Sequence, residues 1–132
     1  MTDYDLTIGT NIMELDFYRM KRYSIPTSIA VVESKCENLF ETISNRALRK
    51  TDIFQFLGDN KFLIIFGATH HQQAKIAIDN LFKEIKDSCY QHIFIGITEV
   101  TDTNESSLTA LKRVNVGLKM ARKLSNDDII II

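Results

Sequence analysis

Apolar residues follow two different spacings along this chain, and these spacings predict alternating helices and strands. Short, nearly uninterrupted apolar runs predict five strands, at 28–32, 53–57, 61–66, 93–97 and 129–132. Apolar residues three and four positions apart predict helices before and between them, at about 11–23, 36–47, 69–88 and 104–121. The predicted order of elements is therefore α-β-α-β-β-α-β-α-β.

The predicted strands are apolar on both faces, which is typical of strands buried in a sheet that carries helices. The central β-α-β-β-α-β order is that of ferredoxin-like domains, with right-handed crossovers. We therefore predict an α+β fold, an α/β sandwich. Its central, mostly antiparallel sheet has helices packed on it and an extra C-terminal strand. The length of 132 residues predicts a single domain, 1–132.

Composition excludes several classes of function. The net charge of −1 and the pI near 6.3 provide no basic surface for nucleic acid. The longest apolar runs have the length of strands, so we expect no membrane span, and the first residues predict no signal peptide. Cys36 and Cys89 lie in apolar helical patterns and are expected to be reduced thiols. Together these features predict a cytoplasmic protein.

A polar turn separates the second and third predicted strands. It reads Gly58-Asp59-Asn60-Lys61-Phe62, and Gly, Asp and Asn are the residues that tolerate the positive φ of a tight hairpin. Arg49-Lys50-Thr51-Asp52 precedes this turn. A structural interpretation is that Arg49 ends a helix and Asp52 caps or pairs before the strand. The alternative is that the guanidinium and the carboxylate bind a ligand.

Five short segments, in order along the chain, resemble motifs of the GGDEF domain, the diguanylate cyclase family. The polar turn resembles the family's signature loop, and Arg49-x-x-Asp52 resembles its product-inhibition motif. The other three segments are 5–11, 95–97 and 113–121. The resemblance extends over nearly the whole chain. It implies a single truncated domain with a nucleotidyl-cyclase-like fold, a bacterial signalling context and cyclic di-GMP as a candidate ligand.

The positions that carry chemistry in this family differ here. In active members, an aspartate at the end of the first strand and an acidic residue of the signature hold divalent cations, which neutralise the triphosphate. The matching positions in this chain are Glu33, Asn60 and Lys61. The resemblance therefore implies no metal site and no cofactor, with magnesium expected only if the domain is active after all. Only 18 residues separate Glu33 from Asp52, which leaves no room for the family's guanine-binding loop.

The leading hypothesis is a degenerate domain without catalytic residues that has a signalling or regulatory role. It would dock on a protein partner or on a second copy of itself, through the hairpin tip or the 129–132 edge. The alternative is a receptor for cyclic di-GMP that uses Arg49 and Asp52. Two further hypotheses are an active diguanylate cyclase that uses GTP through Glu33 and Asp59, and an unrelated ferredoxin-like interaction domain.

The remaining polar candidates are predicted to be solvated. His70 and His71 are adjacent at a helix start and would point about 100° apart, so we predict that they share no metal ion. Lys119, Arg122 and Lys123 form a basic face on the last helix. By resemblance, Arg122 is a candidate phosphate-binding residue.

Overall fold

The computed structural model describes residues 1–36, 39, 41, 52–86, 91–124 and 129–132. The helices are α1 (Asp3–Tyr23), α2 (His71–Lys86) and α3 (Ser107–Leu124). The strands are β1 (Thr27–Ser34), β2 (Ile53–Gly58), β3 (Lys61–Gly67), β4 (Ile93–Val100) and β5 (Ile129–Ile131). The helix predicted over 36–47 lies largely outside the described residues, although Leu39 and Glu41 are helical.

These strands form one sheet in the order β2-β3-β1-β4-β5. β1 pairs antiparallel with β3 and β4, β2 pairs antiparallel with β3, and β5 pairs parallel with β4. The predicted α+β fold, with its ferredoxin-like order and extra C-terminal strand, is confirmed. The register places Glu33, near the end of β1, opposite Lys61, the first residue of β3.

Helices cover both faces of the sheet, which explains why its strands are apolar throughout. Along β1, Ala30 and Val32 contribute to the core beneath α2, whereas Ile29 and Val31 contribute to the core beneath α1 and α3. All four side chains are fully buried. Successive side chains of a strand point to opposite faces, so a strand between two helical layers needs an apolar residue at every position.

α1 begins at Asp3, well before the predicted start at about 11. The Oγ1 of Thr2 accepts from the N–H of Asp5 at 3.1 Å, and the Oδ2 of Asp5 accepts from the N–H of Thr2 at 3.2 Å. This reciprocal capping box satisfies donors that a helix N-terminus leaves open, and it extends the helix into a polar stretch. α3 crosses α1 at Gly9. A Cβ on Gly9 would lie 2.6 Å from Cδ2 of Leu111.

One expectation about cysteine chemistry is wrong. Cys36 takes part in a disulfide, and Cys89, the other cysteine of the sequence, lies outside the described residues. Apolar spacing does not encode which thiols the fold brings within bonding distance. Disulfides persist mainly in oxidising compartments, so this bond counts against the cytoplasmic location, which stays a prediction.

None of the helices that the structure describes is both long enough and apolar enough to cross a bilayer.

Gly96 sets the distance between α3 and the sheet. A Cβ at this position of β4 would lie 2.7 Å from the backbone N of Leu118 and 2.7 Å from the backbone O of Val114. Both atoms belong to the main chain of α3, which no side-chain rotation can move away. A residue without Cβ at position 96 is therefore what allows α3 to lie directly on β4.

We expect Gly96→Ala to lower the free energy of unfolding by roughly 1–3 kcal/mol, because the added methyl group overpacks a contact made by rigid backbone. The matched control is Gly9→Ala, whose methyl group meets only the end of the Leu111 side chain. It also gains about 1 kcal/mol of helix propensity. Urea unfolding of the three proteins measures both effects. If Gly96→Ala had the same free energy of unfolding as Gly9→Ala, this account of the contact between α3 and β4 would be contradicted.

Candidate functional site

The candidate site lies where β1 ends beside the turn between β2 and β3. Gly58, Asp59 and Asn60 have φ values of 110°, 48° and 61°, which confirms the predicted left-handed turn. The backbone N–H of Ser34 donates to the carbonyl of Asn60 at 3.0 Å. The turn is therefore fixed to the end of β1, and its register determines which side chains meet there.

Glu33 lies between two cations. The Nζ of Lys61 is 3.6 Å from its Oε1, and the Nε of Arg122 is 3.1 Å from its Oε2. The side chains of Lys61 and Glu33 are only 9% and 18% exposed, so water screens this interaction poorly. We call these three residues the Glu33 ion-pair cluster. It joins the end of β1, the start of β3 and the last turn of α3.

The Glu33 ion-pair cluster does not fit a magnesium ion, which is expected here only if the domain is active. A hard cation requires several oxygen ligands, and here each carboxylate oxygen of Glu33 already faces a positive group. A metal at Glu33 would be repelled by the Lys61 ammonium and the Arg122 guanidinium. Among the described residues, no group of three or more His, Cys, Asp or Glu could hold a metal ion.

The remaining residues of the turn have structural positions. Asp59 and Asn60 are exposed at its tip. Phe62 is 5% exposed and stacks on Phe54 at a ring-centroid distance of 5.4 Å, which holds β2 against β3. Asp5 is 2% exposed, and its Oδ1 lies 3.4 Å from the point where a Cβ of Gly58 would be. The capping box of α1 thus also packs against the turn.

The structure describes one residue of the predicted Arg49–Asp52 pair. Arg49 lies outside the described residues, and Asp52 is half-buried directly before β2. At this end of the β2–β3 ladder, where Ile53 pairs with Ile65, the structure adds a carboxyl that sequence reasoning missed: Asp16 of α1. A signal for it existed, because position 16 falls on the buried stripe of 13, 17 and 20.

Asp16 is a buried carboxyl with one unpartnered oxygen. It is 4% exposed, and its Oδ2 has no hydrogen-bond partner among the described residues. Its Oδ1 occupies space beside β3, 2.8 Å from the point where a Cβ of Gly67 would lie. Burial raises the pKa of this carboxyl above the usual 3.8; Arg19 opposes the rise and the charge of Asp52 adds to it.

His70 and His71 lie at the surface, with side chains 55% and 33% exposed, but their rings converge on one atom instead of pointing apart as predicted. Their Nδ1 atoms lie 3.0 and 3.2 Å from Oε1 of Glu99, which also accepts from the N–H of His71 at 2.7 Å. Burial alone would raise the pKa of Glu99, but these hydrogen bonds outweigh it and lower the pKa below 4.5. The two rings can meet because α2 starts at His71, so His70 does not follow helical geometry.

Arg113, within the segment that resembles a family motif, has a structural role. Its Nε donates to Oγ1 of Thr98 at 2.7 Å, its Nη1 to Oε2 of Glu105 at 2.8 Å, and its Nη2 to the carbonyl of Glu99 at 3.2 Å. Thr98 in turn donates to the carbonyl of Ile132 at 2.8 Å. The guanidinium thus ties the start of α3 to β4 and to the chain beyond β5.

Several solved structures share this fold. The GGDEF domain of DgcB from Caulobacter crescentus, in complex with c-di-GMP, matches at a TM-score of 0.82 and 10% identity, over 92% of this chain and 84% of that one. The active GGEEF domain of a diguanylate cyclase from Vibrio cholerae matches at a TM-score of 0.75 and 11% identity, over 95% of this chain and 94% of that one. The diguanylate cyclase SiaD from Pseudomonas aeruginosa, in complex with its activator SiaC, matches at a TM-score of 0.73 and 15% identity, over 93% of this chain and 56% of that one.

These matches define the class of structure: the chain has the fold of the GGDEF domains of diguanylate cyclases. The predicted resemblance is confirmed at the level of the fold. No protein-family model and no curated protein matches the sequence. Since fold does not determine function, the chemistry has to be argued from the side chains of this chain.

We expect Asp16→Asn to raise the free energy of unfolding near neutral pH, because it removes a buried charge that Arg19 offsets only in part. The folded pKa of Asp16 is raised, so the wild type gains stability as the pH falls through that pKa towards the unfolded value of 3.8. The variant lacks this gain, so the difference in the free energy of unfolding between the two proteins becomes smaller as the pH falls. Urea unfolding across this pH range measures it, with exposed Glu14→Gln as control. If the difference in the free energy of unfolding did not change with pH, the raised pKa of Asp16 would be contradicted.

Proposed function

We propose that this GGDEF-fold domain does not convert GTP into cyclic di-GMP and instead has a regulatory role, exerted through binding. The Glu33 ion-pair cluster is the observation that carries this proposal. Phosphoryl transfer depends on cations that neutralise the phosphates and position the reacting oxygens. In this chain a lysine and an arginine neutralise the carboxylate that would hold those cations.

The sequence around the cluster supports the same conclusion. Position 60 is an amide and position 61 an ammonium, so neither provides a second carboxylate beside Glu33, and the carboxylate of Asp59 is exposed at the tip of the turn. The 18 residues between Glu33 and Asp52 also leave no room for the guanine-binding loop that the family resemblance implies. A single missing group can be replaced by a neighbour, but loss of both the metal ligands and the base site removes two separate requirements of the reaction.

Binding surfaces remain available to such a domain. The outer strands of the described sheet are β2 and β5, where Phe56 and Ile131 are 46% and 40% exposed. An open strand edge can pair with a segment of another protein or with a second copy. The SiaD structure contains an activator protein, which makes a protein partner plausible for a domain of this fold. We therefore propose a protein partner or a homodimer, without a metal cofactor.

A nucleotide assay tests the proposal. Incubated with GTP and Mg²⁺ or Mn²⁺, the wild type is expected to form no cyclic di-GMP, and its melting temperature is expected not to rise with either ion. The double variant Asn60→Asp/Lys61→Glu places carboxylates beside Glu33. It should be less stable than the wild type without metal, because like charges meet, and should gain melting temperature with Mn²⁺.

The control is Lys119→Glu, which reverses an exposed charge on α3 outside the cluster and should leave the metal response unchanged. Formation of cyclic di-GMP by the wild type would refute the proposal. A Mn²⁺ response of the wild type equal to that of the double variant would show that Lys61 does not block the site.

The second candidate function is a receptor for cyclic di-GMP. It is favoured by the position of Asp52, which lies half-buried at an end of the sheet where a second carboxyl, Asp16, is also found. The resemblance assigns Arg49 to the phosphates and Asp52 to guanine, and a guanidinium suits forked contacts of that kind. The DgcB structure contains the same dinucleotide.

Calorimetric titration decides this candidate. The wild type should bind cyclic di-GMP, and Arg49→Ala should weaken binding by about tenfold or more, because a charged hydrogen-bond donor is lost. Lys123→Ala removes an exposed cation from α3 and should bind like the wild type. The absence of binding heat and of a thermal shift in the wild type would end the receptor hypothesis, while leaving the proposal of an inactive domain intact.

A further inference from the structure

An exposed apolar stripe runs along α3. It consists of Val116, Met120 and Leu124, which are one helical turn apart and all exposed. On the other flank of α3, Leu111 contacts α1 at Gly9. Met120 lies nine residues after Leu111, and at about 100° per residue this places the two side chains on opposite sides of the helix. The stripe therefore faces away from α1, on the side of β5.

β5 continues this surface with an open strand edge. Ile132 lies beside α3, where its Cγ2 is 3.1 Å from the point that a Cβ of Gly117 would occupy. Its N–H donates to the carbonyl of Ile97 in β4 at 2.9 Å. Backbone groups of successive residues in a strand point to opposite sides, so the N–H and C=O of Ile131 point away from β4. Among the described strands β5 is the last of the sheet, and none pairs with this edge.

The exposed face of α3 is also positively charged. This helix contains five cations and no carboxylate. Its two arginines pair with the carboxylates of Glu105 and Glu33. The other three cations are exposed lysines: Lys112, Lys119 and Lys123. No carboxylate in the described part of the chain pairs with these lysines. The whole chain has a net charge of −1, so the positive charge is a local property of this face.

We propose that α3 and β5 form the docking surface for an extended, acidic segment of a protein partner. The backbone of this segment pairs with the open edge of β5 and adds a strand to the sheet. Side chains of a strand alternate between its two faces, so every second residue of the segment packs on the apolar stripe. Its acidic residues pair with Lys119 and Lys123, which border the stripe. The proposal rests on the regulatory role through binding proposed above, and it specifies the surface and the chemistry of the partner.

Two other occupants match this surface less well. In a symmetric homodimer the same surface meets itself, which brings the lysines of the two copies together, and like charges repel. An anionic lipid surface would attract the lysines, but hydrocarbon offers no hydrogen-bond partner to the open edge of β5. A segment of polypeptide matches the apolar, the charged and the backbone groups together.

Selection of short random peptides on the whole chain, followed by calorimetric titration with synthetic copies of the selected peptides, tests the proposal. The selected sequences are expected to alternate apolar and acidic residues. Lys119→Glu should weaken their binding by about tenfold or more, because it places a negative charge against an acidic segment. Lys21→Glu makes the same charge change on α1 and should bind like the wild type.

Two further variants test the apolar and the backbone contacts. Met120→Gln should weaken binding by roughly threefold to tenfold, because a polar group replaces an apolar one in the contact. Leu15→Gln, at an exposed position of α1, is its control. Ile131→Pro removes the outward N–H of β5 and should abolish strand addition. Thermal unfolding of each variant without peptide separates binding from folding, and the exposed changes at 119 and 120 should leave the melting temperature unchanged.

Several outcomes would overturn the inference. They include a selection that yields no binding peptide, and peptides that bind Lys119→Glu and Met120→Gln as tightly as the wild type. A wild-type dimer that Met120→Gln dissociates would assign the surface to a second copy. Binding to phosphatidylserine vesicles that Lys119→Glu abolishes would assign it to a lipid surface. None of these results bears on the absence of cyclic di-GMP formation, which the nucleotide assay tests separately.

Discussion

The contact of Glu33 with Lys61 and Arg122 is the interaction on which the functional end of this domain depends. It connects the central strand, the hairpin and the last turn of α3, and the Lys61 and Glu33 side chains within it are only 9% and 18% exposed. A buried carboxylate requires compensation, which a metal ion or protein cations can provide. In this chain Lys61 and Arg122 provide that compensation at the end of β1.

A second constraint comes from the layered arrangement of the domain. Helices on both faces require apolar strands, and α3 lies so close to β4 that residue 96 has no space for a side chain. Within such a core, a buried carboxyl at Asp16 is costly, and its position beside Gly67 and Asp52 is the local departure from good packing. Proteins that violate packing rules at one site often do so for function.

The sequence was sufficient for the architecture because hydrophobic periodicity is a local signal. Five apolar runs correspond to the five strands, and the Gly58–Asn60 turn takes the left-handed conformation that its residues favour. The errors were also local in origin. α1 starts earlier than its apolar spacing predicts because Thr2 and Asp5 cap the helix reciprocally, and the rings of His70 and His71 can meet because only His71 belongs to α2.

The amino-acid pattern alone indicates the order of elements, the two-sided burial of the strands, and an amide and an ammonium at positions 60 and 61 of the turn. Which charged side chains meet depends on how the elements pack in three dimensions. Glu33, Lys61 and Arg122 are far apart in the chain, and Asp16 approaches Asp52 from a different element. Such encounters depend on strand register and on where each helix crosses the sheet, and these follow from packing of the whole core rather than from any local pattern.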